Sequence, residues 1–176
     1  RRLRHRQDRR RADRPWRDLR DGPWLGAIPL LAAASTVTSS LRLGPLVASP
    51  NYRHPALFAK DVMTIDRISD GRVELGLGAG GTGFDADVLG AERLSPAHRA
   101  DRFEEFVSAL DQLLREPVTT YRGRWFSAVE SRTLPGCVQQ PRVPFTIAAA
   151  GPRAQGVAAR FGSTWVTFGP MTGGDT

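Results

Sequence analysis

The stretch that most constrains the fold is residues 73–81, where Val73, Leu75 and Leu77 alternate as a short strand. It runs straight into Gly78-Ala79-Gly80-Gly81. Period-two apolar residues ending in glycines read as a strand leading to a loop. A long helix follows the loop. Ser95-Pro96 supplies an N-cap and a proline at the first helical position, and Phe103, Phe106, Val107, Leu110, Leu113 and Leu114 form one apolar stripe.

The same alternation holds on both sides. Trp24, Ile28, Leu31 and Ala32 recur at helical spacing, ending at residues 36–40. Leu41, Leu43, Leu46 and Val47 read as a short buried strand. His54-Pro55 opens a helix whose stripe is Phe58, Val62, Ile65 and Ile68, stopped by Asp70-Gly71. Residues 118–144 read as an irregular or hairpin insertion, 144–149 as a strand, 153–161 as a short helix, and 164–168 as a last strand. Strands alternating with helices make an α/β fold with parallel strands. Either a doubly wound sheet or part of a barrel satisfies this order, and both place ligands at the carboxyl ends of strands.

Charge isolates one segment. The chain carries a net charge of +7, but residues 1–20 hold ten Arg and three Asp. The rest has fifteen basic and fifteen acidic residues and is neutral. Residues 1–22 lack any apolar period, which leaves a basic nucleic-acid arm, a solvated tail or a mistranslated stretch. They are set apart from a domain over 24–176. One cysteine, Cys137, precludes an internal disulfide. The most apolar run, residues 24–34, falls well short of the roughly 20 residues of a membrane span. A cytoplasmic protein with no membrane partner is expected.

Residues that do ordinary catalysis are scarce. His5, His54 and His98 form no metal-binding pattern. Ser49, Ser69 and Ser95 lack a nucleophile elbow, and Glu104 and Glu105 read as a solvated helix face. A cofactor that carries the reaction accounts for the scarcity. Two loops offer a place for one. The glycine loop, through Gly83, lets backbone approach a ligand, or it is a tight turn. Ala150-Gly151-Pro152-Arg153 presents a helix N-terminus and an arginine to an anion, or it is an exposed turn.

A series of motifs spans residues 24–168. It comprises Leu43-Gly44-Pro45-Leu46-Val47, Tyr52-Arg53-His54-Pro55-Ala56 with Ala59-Lys60, and residues 65–72. It continues through the 75–80 loop, Gln139-Gln140-Pro141, Pro144, Gly151-Pro152-Arg153 and the Ala158-Ala159 helix leading to Trp165. In this order they resemble the luciferase-like monooxygenase family, above all its deazaflavin-dependent bacterial branch. The resemblance implies a partial (β/α)₈ TIM barrel, with the strands near 41–48, 72–78, 144–150 and 164–168 as strands three to six. It implies an oxidoreductase that carries out hydride transfer or monooxygenation on a small molecule through a deazaflavin (F420) or FMN, homodimeric in full-length form, without a nucleic-acid partner. As an interior fragment, the chain is expected to be inactive alone; a non-catalytic remnant or dimerisation module is the alternative. Matched positions imply a cis peptide at Leu46-Val47 beneath the cofactor ring, Ser49 bonding the cofactor, and Gly78, Ala79 and Gly80 beside the ring. They imply that Gly151, Pro152 and Arg153 hold its phosphate. Sugar-phosphate-oxidising relatives carry a catalytic glutamate directly after the glycine loop. Here Gly81 stands at that position and the nearest carboxylate is Asp85, so sugar-phosphate oxidation is not expected.

Overall fold

The computed structural model describes residues 25–81 and 84–167, without the side chains of residues 84–86. The arginine-rich segment, Trp24, Gly83, the Asp85 side chain and Phe168 lie outside what is described. In order, the elements are α1 (Ala27–Val37), α2 (Pro55–Ile68), β1 (Leu75–Leu77), α3 (Phe84–Leu89), α4 (Pro96–Arg115), β2 (Val118–Arg122), β3 (Ser127–Arg132), β4 (Phe145–Ala148), α5 (Pro152–Phe161) and β5 (Thr164–Val166). The strands β1, β4 and β5 pair in that order, all parallel. Among the described residues they form an open sheet, not a closed barrel.

The α4 stripe is the main buttress of the sheet. All six of its expected apolar residues are buried, with Phe106, Val107, Leu110 and Leu113 fully inaccessible. They pack against Leu75, Leu77, Phe145 and Ile147 of the sheet and Phe58 and Val62 of α2 in one cluster. The Phe58 and Phe106 rings stack at 6.1 Å. The α2 stripe holds at Phe58, Val62 and Ile65, while Ile68, in the last turn, is half exposed.

Residues 41–48 depart from the expected buried strand. They make only two isolated parallel bridges, Leu43 to Val73 and Ala48 to Leu77. Leu43 is buried, but Leu41, Leu46 and Val47 are exposed. Pro45 has no N–H to donate to a ladder, which breaks the pairing mid-segment. The backbones still press together, because a Cβ on Gly44 would lie 1.7 Å from the Glu74 carbonyl oxygen. The Leu46-Val47 peptide is cis, as the resemblance implied.

The insertion is an antiparallel hairpin of β2 and β3. Glu105 anchors it, which corrects the reading of that residue as part of a solvated face. Its carboxylate accepts from the backbone N–H groups of Arg124 (3.0 Å), Trp125 (2.8 Å) and Phe126 (2.8 Å). Two motifs far apart in sequence also meet. Buried Asp66 accepts from the N–H groups of Val138 and Gln139 and from the Gln139 side chain, at 2.7–3.1 Å. Arg72 donates to the Ser35, Thr38 and Leu41 carbonyls, satisfying the C-terminal end of α1.

Candidate functional site

A cavity of about 660 Å³ opens at the carboxyl ends of β1, β4 and β5, within the range of small-molecule and cofactor sites. Its apolar wall comes from Val47, Gly78, Phe103, Ala148 and Ala149, and its polar groups from Ser49, Tyr52, Arg53 and Arg99. Six of the nine expected site residues line it: Val47, Ser49, Gly78, Ala79, Gly80 and Gly151. Leu46, Pro152 and Arg153 do not. Leu46 turns toward Gly76, where a Cβ would lie 2.9 Å from its Cδ1. Pro152 occupies the first helical position of α5. The Arg153 guanidinium is paired with Asp101 and lies 3.8 Å from Glu104. That hydrogen bond, ahead of any other influence, holds the Asp101 carboxyl below the usual range.

Each loop is shaped by its neighbour. Gly78 is needed because a Cβ there would lie 2.8 Å from Val47 Cγ2. Gly80 has φ +87°, and a Cβ would come within 2.3 Å of the Asn51 amide, so both backbone and space demand glycine. Arg102 donates to that Asn51 side chain, and Arg99 Nη1 donates to the Gly81 carbonyl at 3.0 Å. Buried Ser49 accepts from the Asn51 N–H at 3.3 Å. Gly151 differs, since nothing lies within 4 Å of where its Cβ would be. It is the N-cap of α5 and supplies no capping side chain. Free N–H groups of the α5 first turn therefore have space beside them for an acceptor.

Arg53 and Arg99 were not anticipated as site residues. Arg53 lies in the motif at residues 52–56 and Arg99 on the first turn of α4, outside its apolar stripe. Burial lowers the Arg53 pKa, while the field of Asp61 opposes this. His54 is structural, its Nδ1 accepting from the Ala56 N–H at 3.3 Å as the cap of α2. Among the described residues, no cluster of three metal-ligating side chains exists, and no helix is long and apolar enough to cross a membrane.

A sequence profile of the luciferase-like monooxygenase family matches residues 13–175. The chain belongs to that family. An uncharacterized protein of Mycobacterium tuberculosis is 33% identical over 146 residues, 82% of this chain and 49% of its own length. An F420-dependent glucose-6-phosphate dehydrogenase of Beutenbergia cavernae is 33% identical over 153 residues, 86% of this chain and 44% of its own. The chain thus spans about half the length of the curated relatives it matches. The solved structure of an F420-dependent secondary alcohol dehydrogenase in complex with an F420–acetone adduct superposes with a TM-score of 0.74 at 23% identity. That match covers 81% of this chain and 43% of the other, and shows a shared fold.

Proposed function

We propose that this chain forms one side of the cofactor site of an oxidoreductase that uses F420 or, as the runner-up, FMN. The carrying observation is the cavity at the ends of β1, β4 and β5, apolar along Val47, Ala148 and Ala149 and open to the uncapped first turn of α5. A planar tricyclic ring fits the apolar wall, and the phosphate common to both cofactors fits the α5 N-terminus. When bound, such a ring accepts or donates hydride. The protein's part is to hold and shield it. Val47 and the 78–80 loop exclude water from the ring, Ser49 offers a hydroxyl, and the Gly151 turn orients the phosphate. Arg153, tied to Asp101, acts on that phosphate only by exchanging partners.

The test is titration of the purified chain with F420 and with FMN, followed by fluorescence, beside the Gly151→Asp variant. Gly151 has φ −100° and ψ 161° and open space around it, so aspartate fits and caps the helix itself. The variant should keep its thermal stability and bind cofactor at least about tenfold more weakly, from lost phosphate hydrogen bonds. Equal affinity would remove the α5 turn from the site.

The same reading includes a homodimer of the whole protein through α1 and α2. Leu30, Val37 and Leu57 are exposed apolar residues on those helices, the kind of surface that pairs with another. Sedimentation velocity of the protein and of Leu57→Glu would test this.

A further inference from the structure

The described arginines fall into contrasting sets. Arg153 and Arg160, on α5, are neutralised by Asp101 and Glu104 of α4. Arg53 and Arg99 line the cavity, and no salt bridge joins either of them, or Arg102, to a carboxylate among the described residues. Arg99 and Arg102 lie three residues apart on α4, hence on one face. Their partners are neutral, the Gly81 carbonyl and the Asn51 amide. The Nε atoms of both are buried without a hydrogen-bond partner. Burial, and next the field of Arg99, lower the Arg102 pKa. Arg53, on which Asp61 also acts, and Arg99 face one cavity. Arg99 has a like-charged neighbour behind it and a buried Nε unused, so the site's missing component is negative.

We propose that Arg53 and Arg99, backed by Arg102, form an anion-binding subsite of the cavity distinct from the α5 N-terminus. It takes a phosphate or carboxylate arm of the molecule bound there. The arm comes either from the cofactor, since F420 carries a phosphodiester and glutamate carboxylates, or from an acidic substrate. The inference rests on the proposed cofactor reading only for the identity of the occupant. Guanidinium groups bind both anions through paired N–H donors, and the half-buried setting protects the interaction from salt.

The experiment compares the full chain with Arg53→Gln, Arg99→Gln and the exposed control Arg132→Gln. Arg99→Gln loses the bond to Gly81, so circular dichroism checks its fold. Arg53 makes no such bond, and its variant remains informative if Arg99→Gln misfolds. Three probes are titrated: F420, its phosphate-free deazaflavin core, and inorganic phosphate followed by thermal shift. Phosphate should stabilise the wild type and the control but not the other two variants. F420 affinity should fall about tenfold or more in both, the scale of one charge-assisted hydrogen bond. If F420 affinity falls in the arginine variants while the deazaflavin core binds all forms equally, the anion belongs to the cofactor. Unchanged F420 affinity with an arginine-dependent phosphate response assigns it to the substrate. If F420 fails to bind the wild type but the phosphate response keeps its arginine dependence, the cofactor reading falls and the subsite stands. Phosphate and F420 binding equally to the arginine variants and the wild type would overturn the subsite, as would no response to either.

Discussion

Single side chains carry much of this architecture. Glu105 gathers three backbone N–H groups of the hairpin turn into one carboxylate. Glu105→Ala should therefore cost about 2 kcal/mol, since bonds to a charged acceptor exceed ordinary ones; urea denaturation reads the loss. Cys137 is a second case. Burial, and after it the field of Asp66, push its thiol from 9.0 up to about 11. The folded state thus favours the protonated thiol. This contribution is present in full below pH 9 and is lost as pH rises through about 11. Cys137→Ala should flatten the decline of stability across that window, measured by denaturation at stepped pH. An unchanged slope would show that the thiol does not titrate differently on unfolding.

At the scale of elements, α4 decides the fold. Phe106 is wholly buried between α2 and the hairpin, stacked on Phe58 and edge-on to Phe126 at 5.7 Å. Phe106→Ala should cost about 3–5 kcal/mol, transfer and cavity together, read from the shift in denaturation midpoint. The helix was legible because capping, proline placement and apolar period agreed from Ser95 to Leu114. Residues 41–48 were less so, for the apolar residues of a short run look the same whether they pair in a ladder or line a cavity. Pro45 was the available clue. The glycine loop was legible as a loop at the end of a strand, but the partners of its glycines, Val47 and Asn51, lie about thirty residues earlier. Glu105 escaped notice because its partners are main-chain groups, which carry no sequence signature. Gly151 to Arg153 was recognised as a turn, while the pairing of Arg153 with Asp101 depends on how α4 and α5 pack.

For the whole molecule, three parallel strands among the described residues end at a cavity, with helices packed against the sheet. At Gly81 no side chain can move a proton, and general acid–base help contributes about 10²–10⁴-fold. The protein containing this chain should therefore oxidise glucose 6-phosphate with F420 at no more than a trace rate, followed as loss of F420 absorbance. Robust turnover would show that another group supplies the proton. The hairpin's mode of attachment also bears on how such proteins diverge. A Cβ on Gly123 would lie 2.0 Å from Glu105 Oε1, so the two positions are tied as lock and key. A side chain at position 123 would push the carboxylate away from the three N–H groups it holds. Descendants should thus inherit the two together or exchange them together.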